Sequence, residues 1–172
     1  MKRFLLSKIL GAALVAAATS APVFAQSAPK LTGTHGDWSV YTKGSGGEQI
    51  CYVLSGAKSE SPSNVNHGDI YFMVSNWKNG AASEQPSFMA GYSLKTTRAP
   101  KAQVGSTGVN MFAADNEAFI SEDSDERRLV AKMRAGSTMT VSAVSARGTQ
   151  TRYTFSLKGV TAALRQAKSA CN

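Results

Sequence analysis

The chain predicts a mainly β fold: an antiparallel β-sandwich or partly open barrel, closed by a short C-terminal helix. Three observations carry this. Short apolar/polar alternations recur along the chain, separated by Gly- and Ser-rich turns. Nothing alternates strand with helix in the manner of a parallel βαβ sheet. After Gly159 the period changes, placing Val160, Ala163, Leu164 and Ala167 on one helical stripe just before Cys171.

The N-terminus has its own pattern. Lys2, Arg3 and Lys8 precede an apolar run from Ile9 to Ala18, and Val23-Phe24-Ala25 follows. A basic region, a short apolar region and small residues at the cut site define a secretory signal peptide over 1–25. The run is well short of the roughly 20 residues a spanning helix needs, so no transmembrane segment is expected once the leader is removed. Cleavage after Ala25 leaves 147 of the 172 residues, enough for one domain with a real core. Three cations leave with the leader, so the net charge falls from +8 to +5. The remaining Lys and Arg are scattered through the sequence, which excludes a nucleic-acid footprint.

Residues 26–34 read as a flexible leader, and residues 35–172 as the single β-sandwich domain. Trp38 and Val40 alternate with Ser39 and Tyr41 in a first strand; Gly44 to Gly47 turn the chain. Gln49 to Leu54 form the next strand, Ser59 to Asn64 a loop, and Asp69 to Ser75 the most apolar and central strand. Asn76 to Gly80 turn. Trp77, between Asn76 and Lys78, is expected to be exposed and available to a partner, whereas Trp38 and Tyr71 are expected in the core. Ser87 to Leu94 follow as a strand with a bulge at Gly91, and Lys95 to Lys101 make a basic connection. Gln103 to Phe112 and Asn116 to Ile120 supply further short strands. Glu122 to Arg128 form a charged turn or short helix, and Leu129 to Met133 lead on to a turn at Gly136. Met139, Val141 and Ala143 then alternate with hydroxyl residues, as do Tyr153, Phe155 and Leu157. Ser145 to Gln150, with Gly148, make the hairpin between them. Thr161 is placed to cap the final helix. The total is eight or nine strands and one terminal helix.

Both cysteines lie in the exported part. An oxidising compartment and a single possible pairing predict a Cys51–Cys171 disulfide. It closes a loop of about 120 residues, which the chain-entropy argument values at roughly 4 to 5 kcal/mol.

In order along the chain, several landmarks resemble the invasion-associated locus B family. They are Gly36-Asp-Trp-Ser-Val-Tyr41, Cys51-Tyr52, Tyr71-Phe-Met-Val74 and Gly91-Tyr92, then Lys132-Met133, Gly136, Ser145-Ala-Arg-Gly-Thr149, Thr151, Phe155-Ser-Leu-Lys-Gly159, Ala162-Ala163 and Cys171. The family comprises exported proteins of alphaproteobacteria, and its founding role is in host-cell invasion by a blood-borne pathogen. The resemblance implies a periplasmic or envelope-associated protein, on the outer membrane or secreted. It brings no catalytic residues. The sequence departs from the family pattern at His67, where arginine is common.

Candidate chemistry is sparse. Both histidines sit in a His-Gly-Asp triplet, His35-Gly36-Asp37 and His67-Gly68-Asp69. Positions i and i+2 of a strand share a face, so two such pairs brought together offer two imidazoles and two carboxylates to a metal. Against this, Asp opens turns and His is an ordinary loop residue. Ser145 to Arg152 holds Ser, Arg and Thr, but neither histidine is near in sequence to act as a base. Arg147 and Arg152 bind a carboxylate within the fold, reach solvent, or contact a partner. The reading is an exported non-enzymatic protein that acts by binding an envelope or host-surface component and needs no cofactor. The alternative is a periplasmic small-ligand or metal-binding domain.

Overall fold

The computed structural model describes residues 28–172. The expected signal peptide, residues 1–25, lies outside them. Strands β1 (Lys30–His35), β2 (Trp38–Lys43), β3 (Ile50–Gly56), β4 (Ser59–Ser61), β5 (Tyr71–Trp77) and β6 (Gln85–Met89) come first. Then come β7 (Lys101–Val104), β8 (Thr107–Asn110), β9 (Phe112–Ala114) and β10 (Glu117–Phe119). Helix α1 (Asp123–Ala135), the hairpin of β11 (Thr138–Val144) and β12 (Gln150–Ser156), and helix α2 (Val160–Cys171) complete the fold.

Every strand pairing is antiparallel. One sheet has seven strands in the order β1-β2-β3-β5-β6-β10-β9; the other has five, β4-β12-β11-β7-β8. The fold is therefore mainly antiparallel β, as the periodicity predicts, and it is not a closed barrel.

The sheets meet through aromatic pairs. Phe72 of β5 lies 5.8 Å from Phe155 of β12, and Phe88 of β6 lies 5.5 Å from Tyr153 of β12, ring centre to ring centre. Trp38, Val40, Val53, Phe72, Val74 and Phe88 are all buried, and register places Val40, Val53 and Val74 side by side. The larger sheet thus has one apolar face. The five-stranded sheet covers part of it. Helix α2 covers the rest with Ala163, Leu164 and Ala167, packing on β2, β3 and β5. The stripe read from the sequence is the one that is buried.

The structure corrects four expectations. Residues Lys30 to Thr34, counted in the leader, form β1 together with His35 and pair with β2. They escape a period-two reading because most of their side chains are exposed on an edge. The short edge strands β4 and β9 are hidden for the same reason, and the described residues hold twelve strands in all. Second, Leu129 to Met133 are helical: α1 runs from Asp123 to Ala135 and buries Leu129, Val130 and Met133. Its acidic first turn (Asp123, Asp125, Glu126) and basic last turn (Lys132, Arg134) both suit the helix dipole. Third, Thr161 is not the cap of α2. Gly159 stands there at φ 89°, and the Thr161 hydroxyl donates to the Arg134 carbonyl instead. Fourth, Trp77 ends β5 opposite Ile50 and is half-buried, so it is not the free aromatic expected.

Candidate functional site

Cys51 of β3 and Cys171 at the end of α2 are joined by a disulfide, with Cα atoms 5.7 Å apart and 120 residues between them in sequence. Both are buried. The Gln49 side-chain amide donates to the Ala170 carbonyl at 3.0 Å, so the helix end is held by a hydrogen bond beside the covalent bond.

The two His-Gly-Asp triplets do not come together as a metal site. Among the described residues no group of three His, Cys, Asp or Glu side chains is placed to hold an ion. His35 Nε2 lies 2.6 Å from Gln166 Oε1 of α2, and Asp37 is paired with Lys58 at 2.6 Å. The Lys58 hydrogen bond, helped by Ser156, holds the Asp37 carboxyl below its ordinary value. Asp69 is exposed.

What the triplets share is a close backbone approach. Gly36 and Gly68 both have positive φ, at 57° and 63°, and each faces a second glycine across the fold. A Cβ on Gly159 would run into the His35 carbonyl, and one on Gly36 into the Lys158 carbonyl. A Cβ on Gly91 would lie 2.5 Å from the His67 carbonyl oxygen and 2.6 Å from Gly68 Cα. The echo that suggests metal ligands is a repeated solution to packing two backbones together.

His67 is buried and fully hydrogen-bonded. Its Nε2 lies 2.8 Å from the Pro62 carbonyl oxygen, which only accepts, so Nε2 carries the proton. Nδ1 lies 2.8 Å from the Tyr153 hydroxyl. The Tyr153 and Tyr92 hydroxyls lie 2.8 Å apart, and the Tyr92 hydroxyl lies 2.7 Å from that of Thr151, which donates to the Ala143 carbonyl at 3.3 Å. The network runs from the Ala143 carbonyl to the Pro62 carbonyl and joins the β11–β12 hairpin of the smaller sheet to the loop before β5. Burial, and then the Tyr92 hydrogen bond, push the Tyr153 hydroxyl above its ordinary range. Every group is satisfied, which is the signature of a structural network.

Arg147 and Arg152 are both exposed and neither enters the fold. Arg147 lies at the hairpin tip, beside His67 and Tyr92. Arg152 has a more organised setting. Register across the five-stranded sheet sets Ser61, Arg152, Ser142, Lys101 and Asn110 in one row, one residue from each strand. The next row on that face is Ser59, Thr154, Thr140, Gln103 and Gly108. This is the outer face, opposite the buried Val141, Tyr153 and Phe155.

Two grooves open on it. One, of about 420 Å³, is lined by Ser61, Lys101, Ser142 and Arg152 among others. The other, of about 340 Å³, is lined by Lys95 and Arg98 and shares Ala99, Val144 and Gln150 with the first. No carboxylate is among the residues lining either groove. None of the four cations takes part in the ion pairs of the described residues, which are Lys58–Asp37, Arg128–Asp125 and Arg134–Glu84.

The sequence singled out Arg152 but missed its companions. Lys95, Arg98 and Lys101 read only as a basic connection, and Ser142 only as the wet side of a strand. Nothing local links position 101 to position 152; the register of β7, β11 and β12 does.

Comparison with solved structures finds a crystal structure of invasion associated protein B from Bartonella henselae. It is 16% identical, with a TM-score of 0.56, and the match covers 82% of this chain and 98% of that one. That likeness shows a shared fold. No curated protein matches the chain. The family model of the invasion associated locus B proteins matches residues 38–168, from the first core tryptophan to the last turn of α2. The chain belongs to the invasion-associated locus B family.

Proposed function

We propose that the protein is an exported, non-enzymatic binding protein of the cell envelope or the secreted fraction, and that it binds an envelope or host-surface component through the outer face of its five-stranded sheet. The observation that carries the reading is the polar, cationic double groove over Arg152, Lys101, Lys95 and Arg98. Four unpaired positive charges on a flat face repel one another unless an anionic partner or counterions neutralise them. Export is supported by the basic-then-apolar start of the chain and by a disulfide, which persists in oxidising compartments. Membership of a family named for invasion is consistent with a surface partner. Among the described residues no helix is long and apolar enough to cross a membrane.

The test is a photo-crosslinking amino acid at Ser142, in the floor of the groove, in cells that make the protein. A matched position at Thr34, exposed on β1 of the other sheet, is the control. An adduct with an envelope or surface component from Ser142 alone is the expected result. No adduct, or the same adduct from both positions, refutes binding through this face.

A further inference from the structure

The geometry points to an acidic polysaccharide as the occupant of this face, its sulfate or carboxylate groups taken by Arg152, Lys101, Lys95 and Arg98 and its hydroxyls by the Ser and Thr rows. The inference deepens the binding reading above and rests on it.

Neighbouring strands lie about 4.8 Å apart, so Arg152 on β12 and Lys101 on β7, two strands apart, have Cα atoms about 10 Å apart with Ser142 between them. The Lys101 stem leans across Gly108, where a side chain would collide with it, so its ammonium stands over the row of Thr140, Gln103 and Gly108, next to the groove. Lys95 and Arg98 continue the positive charge into the adjoining groove. Charges spread at this interval suit a polymer with repeated anionic groups better than one small anion. The face around them is rich in hydroxyls: Ser61 and Ser142 line the first groove, and Ser59, Thr140 and Thr154 stand in the next row. Hydroxyls both donate and accept, which matches the hydroxyls of a sugar chain.

Two other polyanions fit less well. Single-stranded nucleic acid is bound by stacking bases on aromatic rings, and no aromatic residue lines either groove. A membrane surface calls for apolar side chains inserted beside the cations. The large exposed apolar residues Leu31, Val65 and Phe112 are not in these grooves.

The experiment is titration of the mature protein with heparin and with polygalacturonate, which carry sulfate and carboxylate charge respectively, and with neutral dextran. Wild type, Ser142→Glu, Ser124→Glu and the double variant Lys101→Gln/Arg152→Gln are compared over a range of salt, with thermal unfolding to check that each is folded. Ser142→Glu and Ser124→Glu change the net charge equally, but Ser124 lies on α1, away from the grooves.

The expected result is salt-sensitive binding of at least one acidic polymer and none of dextran. Ser142→Glu should weaken it by about tenfold or more and Ser124→Glu by less than about twofold, and the double variant should lower the salt slope by about two. Equal losses in the two Glu variants mean that net charge alone attracts the polymer, and overturn the inference. So does binding to an oligonucleotide or to anionic lipid vesicles that is as tight as to heparin and equally sensitive to Ser142→Glu. A Ser142 crosslink without polysaccharide binding overturns the acidic-glycan assignment and leaves the docking face standing; loss of both refutes the binding reading itself.

Discussion

Replacing Cys51 and Cys171 together by alanine removes the one covalent link between the ends of the fold, and its cost can be worked out. The bond closes a loop of 120 residues. For that length the chain-entropy relation gives about 16 cal/mol/K lost from the unfolded state, or about 5 kcal/mol at 25 °C. Domains of this size have some 5–15 kcal/mol in all, so the bond is a large fraction of the total. The native fold should nevertheless survive, because Val160, Ala163, Leu164 and Ala167 keep α2 docked.

The assay is urea unfolding followed by tryptophan fluorescence. Trp38 is fully buried, and its indole N–H donates to the Ser156 carbonyl at 2.9 Å, so it reports on core integrity. With a slope of roughly 1–3 kcal/mol/M, the midpoint should fall by about 2 M or more. Wild type treated with a reductant should fall by a similar amount without any truncated side chain, which separates the entropic effect from cavity formation. A midpoint shift below about 0.5 M at unchanged slope, in both experiments, would refute the reasoning. It would mean that the ends of the chain are held together in the unfolded state by something else.

Other changes test the packing and the networks. Gly91→Ala places a Cβ against the backbone of His67 and Gly68, neither of which has a flexible atom to move; thermal unfolding should show a loss of about 1–3 kcal/mol. Gly148→Ala keeps a positive φ of 95° but meets nothing within 4 Å, so only the backbone penalty of about 1–2 kcal/mol is expected. Tyr153→Phe leaves both His67 Nδ1 and the Tyr92 hydroxyl without a hydrogen-bond partner they now have in a buried site, and should cost about 1–3 kcal/mol by urea unfolding. The Asp37 carboxyl is held below its ordinary value by Lys58. A depressed carboxylate contributes stability above its unfolded pKa of about 3.9 and loses it as pH falls through the folded value. Asp37→Asn should therefore flatten the acid limb of the stability–pH curve below about pH 4, lowering stability at neutral pH, where the ionised carboxylate contributes, and converging with wild type in acid.

Most of the strands were legible because burial on one side of a sheet writes itself into every second residue: Trp38/Val40, Phe72/Val74, Met139/Val141 and Tyr153/Phe155 all point inward. The stripe on α2 was legible for the same reason at a different period. The edge strands were not, because β1 and β4 are held by backbone hydrogen bonds and bury little. Helix α1 was half legible. Its charged first half reads as a turn, and its apolar second half is too short to distinguish from a strand until its partners β7 and β8 are known.

From sequence alone come the mainly β class, the closing helix, an expected leader and the pairing of Cys51 with Cys171. Each depends on residue type, local period or a count of two. Tertiary structure alone decided that the His-Gly-Asp triplets are glycine-to-glycine backbone contacts and that Arg152, Ser142 and Lys101 stand in one row. The period of a strand says which face a side chain takes, but not which strand lies beside it. Neighbours across a sheet are set by topology and register, and those are settled by the packing of the whole core.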